Sequence, residues 1–189
     1  MNRRRLGVVL GINQTLSWGM TFYLPAVVVV PASHNLGQST FALLGAFTMA
    51  LLIAGVCAPR VGRWIDRNGG KSCIAASIVV LAAGQATIAL SPNIVVWYLG
   101  WGVLGVGMAM GLYDAAFATV GTLLGREAGP TITGITLFAG FASTVFWSLG
   151  SSIIDFTGWR GLMLVYVGIM LCLNLPMVLA LVPRLDQNR

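Results

Sequence analysis

Charge is scarce in this chain. Only 8% of its 189 residues are Asp, Glu, Lys or Arg, and the acidic ones number 5. A soluble domain carries roughly 25% charged residues. A surface this poor in charge cannot hold a globular domain in water, so most of it must face lipid. Histidine is scarcer still, with His34 alone. A metal site would therefore lack imidazole partners, and His34 reads as a solvated loop residue. An intramembrane serine protease needs a Gly-x-Ser-Gly stretch and a histidine within the membrane, and neither is present. The cysteines, Cys57, Cys73 and Cys172, are odd in number, widely spaced, and in or beside apolar runs. They form no disulfide framework or ligand set and read as small hydrophobes in a bilayer. No cofactor, no metal and no enzymatic activity is expected.

What the chain has in quantity is apolar length. Hydrophobic residues make up 57% of it, with 24 glycines, and the mean hydropathy is +0.87. A spanning helix needs about 20 predominantly apolar residues. Six stretches qualify: Leu6–Val30, Ser39–Pro59, Ser72–Leu90, Ile94–Thr122, Thr131–Ile153 and Trp159–Val182. Pro31, Pro92 and Pro130 fall in the gaps, where a missing N–H costs least. The expectation is an all-α polytopic membrane protein, one six-helix transmembrane domain over residues 1–189, with no soluble domain. The run that follows Met1–Arg5 is too long for the apolar core of a signal peptide, so it is expected to remain as the first helix. The first three and last three helices cover stretches of similar length, as two inverted three-helix repeats would, although no matching residues are visible.

The net charge of +6 does not point to nucleic acid, because the basic residues lie in short gaps between apolar runs rather than on one polar face. With an even number of spans, one side holds Arg3, Arg4, Arg5, Arg60, Arg63, Arg67, Lys71, Arg126, Arg184 and Arg189. That is all but Arg160 of the 11 Lys and Arg residues. Positive residues stay in the cytoplasm, so both termini are expected inside, in what is expected to be a bacterial inner membrane.

The gap between the second and third helices reads Gly62-Arg63-Trp64-Ile65-Asp66-Arg67-Asn68-Gly69-Gly70-Lys71. It resembles the signature loop G-x-x-x-D-R-x-G-R-K of the major facilitator superfamily (MFS). Gly62, Asp66, Arg67, Gly69 and Lys71 match, while Gly70 replaces a usual arginine. Charge-set topology alone would need neither Gly62 nor Asp66. Pro25 and Pro31 near the outer end of the first helix, Arg126-Glu127-x-Gly129 after the fourth and Gly158-Trp159-Arg160 at the sixth are similar to the same family. The resemblance covers nearly the whole chain as one six-helix half of a usual twelve-helix transporter. It implies alternating access by two such units, with Asp66 as a conformational latch and Arg67 and Lys71 pairing with carboxylates or anionic lipid heads. Two departures bear on substrate. Trp101 stands where proton-linked members often have an arginine, and the fifth helix lacks the Gly-Pro pair of drug–proton antiporters. An unspecified small-solute carrier fits better.

Asp114 is the one acid or base well inside a span. A charge there costs about 2.5–3.5 kcal/mol on insertion scales. It reads either as a site for a coupling proton or a cationic substrate, beside Tyr113, or as a buried structural acceptor on a small-residue face with Gly107, Gly111, Ala118 and Gly121. The first helix carries Asn13, Gln14, Ser17, Trp18 and Thr21. Asn13, Ser17 and Thr21 stack at a spacing of four. This stripe suits either a water-filled cavity with an aromatic platform or a hydrogen-bonded seam between helices. The expected partners are the lipid bilayer, a small-molecule substrate, and a second six-helix half or a second copy in a homodimer. The alternative is a transport-inactive interaction or regulatory subunit, or a truncated half-transporter.

Overall fold

The computed structural model describes residues 3–183. Among these the chain is helical nearly throughout and contains no strand. Hydrocarbon offers no partner to a free backbone N–H or C=O, so a lipid-facing chain must satisfy them within each segment, as helices do. The helices are α1 (Arg3–Met20), α2 (Pro25–Leu36), α3 (Thr40–Asn68), α4 (Gly70–Ala89), α5 (Ile94–Gly111), α6 (Tyr113–Leu124), α7 (Gly129–Gly140), α8 (Ala142–Ile169) and α9 (Leu175–Leu181). Five helical stretches are long and apolar enough to cross a membrane: 3–36, 40–68, 70–89, 94–127 and 129–181. The protein is an all-α polytopic membrane protein.

The last stretch has 53 residues, roughly 80 Å if straight, against a hydrocarbon core of about 30 Å. It folds back at Gly158, whose φ of 69° and ψ of 174° lie outside the helical region. That positive φ is open to glycine and strained for other residues. The reversal brings Phe146 against Tyr166, with ring centroids 5.7 Å apart.

Several boundaries differ from the sequence reading. The gap expected over Arg60–Lys71 is helix: α3 runs on through Asn68, and Gly69, at φ 79°, makes the whole turn into α4. Pro31, expected in a gap, lies inside α2. The stretch Ile94–Thr122 is interrupted at Leu112, whose ψ of −165° is extended. The first stretch breaks between Met20 and Pro25, and a π-helical turn, Met170–Asn174, separates α8 from α9. Hydropathy counts side chains and is blind to such backbone breaks.

α3 is the most exposed of the membrane-length helices and α4 the most enclosed. α3 and α5 meet at Gly105, where an added Cβ would lie 2.4 Å from the Ala50 carbonyl oxygen. Small residues permit this approach, which in lipid has to be won by packing rather than by the hydrophobic effect. The two ends of the bundle differ in charge. At one end Arg3 pairs with Glu127 at 2.7 Å with both side chains more than half exposed, a contact worth at most about 1 kcal/mol. Arg5 and Lys71 flank one recess there with Pro183. At the other end Arg160 donates to the Asn35 side chain and, at 2.8 Å, to the Ser91 carbonyl. Its guanidinium carbon lies 4.2 Å from the centre of the Trp159 ring. Arg184 and Arg189, which entered the charge count, lie outside the described residues.

Candidate functional site

The polar stripe of α1 is mostly consumed inside the bundle. Asn13, Gln14, Ser17 and Thr21 are all buried. Asn13 Nδ2 donates to Asn174 Oδ1 at 2.9 Å, and Asn174 Nδ2 reaches Ser17 Oγ at 3.4 Å. Gln14 Nε2 donates both to Asn13 Oδ1 at 3.0 Å and to the Gly111 carbonyl at 2.8 Å. Thr21, in the turn that follows α1, donates through Oγ1 to the Ser17 carbonyl at 2.6 Å. These groups tie α1 to the π-helical turn and to the end of α5. The contact on Gly111 falls beside the break at Leu112, so the chain's interruption and its repair lie together.

A second set faces outward. Trp18, Tyr113 and Asp114 share a cavity of about 260 Å³ with Phe22, Met108 and Gly55. The Trp18 ring centroid lies 4.7 Å from that of Tyr113 and 4.8 Å from that of Phe22. Tyr113 in turn stacks on Phe117 at 5.0 Å. Trp18 Nε1 donates to Gln14 Oε1 at 3.2 Å. The seam thereby fixes the indole. Asp114 is exposed in the first turn of α6, where the partial positive charge of a helix N-terminus favours an acid. It does not share a face with Gly107 and Gly111, because the break at Leu112 separates them; an added Cβ on those glycines would instead meet Leu81 and Ser77 of α4. The reading of Asp114 as a buried acceptor assumed an unbroken helix.

The signature residues divide differently. Gly69 caps α3, its N–H bonded to the Ile65 carbonyl at 2.8 Å. Gly70, where the family usually has arginine, is buried, and an added Cβ would fall 1.6 Å from Thr119 Oγ1 of α6. A Cβ added at Gly62 would meet nothing within 4 Å. Asp66 and Arg67 are exposed in the last turn of α3. An acid there opposes the helix dipole by about 0.3–1 kcal/mol, while Arg63, three residues before it on the same helix, offers opposite charge. Lys71 is half-buried beside Arg5.

Two polar residues escaped the sequence reading. Asn174 completes the seam, and Gln85 of α4 is fully buried, its Nε2 donating to the Met20 carbonyl at the break in the first stretch. Both are lone amides inside apolar runs, and that isolation is the signal that could have found them. Among the described residues no three His, Cys, Asp or Glu side chains group as metal ligands. The family model for the Major Facilitator Superfamily matches residues 9–189, and the chain belongs to that family.

Proposed function

We propose that this member of the major facilitator superfamily is a secondary transporter that moves a small solute by alternating access. In this reading a second six-helix unit, another half or a second copy, closes the cavity of Trp18, Tyr113 and Asp114. The observation that carries it is that cavity. It joins a carboxylate and three aromatic rings at the breaks in the first and fourth stretches, on a face that these helices leave open. Interrupted helices at a binding site are a device of secondary transporters. The exposed residues Leu52, Val56, Asp66 and Arg67 of α3 and the open space at Gly62 leave room for a partner along that helix. There Asp66 latches one conformation, and the basic end lies in the cytoplasm of a bacterial inner membrane, as the asymmetry of Lys and Arg favours.

A cysteine in place of Gly55, in a chain without native cysteines, tests this in sealed vesicles. Impermeant thiol reagents should reach it from one side at a time, with the balance shifted by Asp66→Asn while insertion is unchanged. Fixed accessibility in both backgrounds would refute alternating access.

A further inference from the structure

We infer that the cavity of Trp18, Phe22, Tyr113 and Asp114 takes an organic monocation with an apolar body, such as an alkylated ammonium. This rests on the reading of that face as a solute cavity and names the class of solute. Asp114 is the one ionic side chain lining the cavity, and no basic residue lines it. Among the described residues no hydrogen bond or ion pair engages its carboxylate. A neutral or anionic solute would leave that carboxylate uncompensated once the cavity closed and water was expelled, and a cation would compensate it.

The rings supply a second, independent preference. Three aromatic side chains stand within one small cavity, and the Trp18 ring lies within 5 Å of both neighbours by centroid. The indole N–H is already committed to Gln14, so what Trp18 and its aromatic neighbours present to the cavity is ring surface rather than a donor. An ammonium over such faces is attracted by their quadrupoles, and more strongly once desolvated. The rest of the lining, including Met108, Leu112 and Leu51, is apolar. It suits alkyl or aryl substituents on the charged nitrogen and would not solvate a bare inorganic cation. The break at Leu112 sets both features together: it starts α6 at Tyr113, so the ring and the carboxylate leave the backbone as neighbours at a helix start.

The test is equilibrium binding to the purified full-length chain in nanodiscs of zwitterionic lipid, using radiolabelled benzyltrimethylammonium. Binding should saturate, and benzyl alcohol and phenylacetate should displace the probe at least about 10-fold less well than unlabelled cation. Asp114→Asn should weaken binding about 10-fold or more, Asp114→Glu should stay within about 3-fold, and Tyr113→Leu should cost about 3–10-fold. Equal displacement by all three compounds in the unaltered protein would overturn the proposal without recourse to any variant, as would unchanged affinity in Asp114→Asn. If the cation fails to bind while a cysteine at position 55 still alternates in accessibility, the solute class falls and the transport reading stands. If the cation binds with these preferences while that cysteine never changes accessibility, the site stands and transport falls.

Discussion

Replacing Asn174 by leucine separates the two roles open to the polar stripe of α1. Leucine has the branched heavy-atom skeleton of asparagine, with bulkier methyl groups in place of the amide, and suits an apolar surround, so the change removes hydrogen bonds without opening a cavity. It deprives Asn13 Nδ2 of its acceptor at 2.9 Å and Ser17 Oγ of a longer contact at 3.4 Å, both at fully buried positions. A buried donor left without a partner costs about 1–3 kcal/mol. Measured side-chain pairs in membrane proteins average about 0.6 and reach about 1.7 kcal/mol. The expected loss is therefore about 1–2 kcal/mol, a factor of roughly 5–30 in the folding equilibrium. Asn13→Leu should cost a similar amount, since it also removes the acceptor at 3.0 Å for Gln14, although Gln14 keeps the Gly111 carbonyl. In the double variant no orphaned donor remains between the two positions, so its cost should fall short of the sum by about 0.5–1.5 kcal/mol. The assay is reversible unfolding in one fixed detergent or bicelle composition, run on all four members of the cycle. Additivity within about 0.3 kcal/mol, or unchanged stability accompanied by lost solute affinity, would refute the seam and make the stripe a cavity wall.

Gly105→Val should destabilise by about 1–3 kcal/mol or more, because the added Cβ would meet backbone atoms of Ala50 at 2.4 and 2.9 Å that cannot swing aside. Gly121→Ala, with nothing within 4 Å, should be neutral or slightly stabilising by helix propensity, and equal unfolding midpoints for the two would contradict the packing of α3 on α5. Arg160→Met keeps the aliphatic stem but removes the donors to Asn35 and the Ser91 carbonyl. At this partly exposed position it should cost about 1–2 kcal/mol, read as a lower unfolding midpoint, and an unchanged midpoint would show that Arg160 holds nothing together.

Apolar run length and the placement of basic residues are local properties, and with them the sequence alone determined that the chain is all-helical, embedded in a membrane and asymmetric in charge from end to end. The five matched residues of the second gap, Gly62 to Lys71, and the polar spacing in α1 were equally legible, because a motif and a helical period need no knowledge of neighbours. The use made of those residues was decided by contacts that the sequence does not order. Whether Asn13 and Ser17 face water or protein depends on Asn174, which lies 161 and 157 positions away. Arg60 to Asn68 read as a loop by charge, yet they extend α3 beyond the apolar run, since a helix outside lipid is limited by its cap at Gly69 and not by hydropathy. The position of Asp114 turned on one residue. Face assignment at 100° per residue assumes an unbroken helix, and the extended backbone of Leu112 resets the phase. That break places Asp114 at a new helix start, in the open beside Tyr113. A single ψ angle carries no signature in a run of apolar side chains, and only the packing of α1, α4 and α5 around it settles its value.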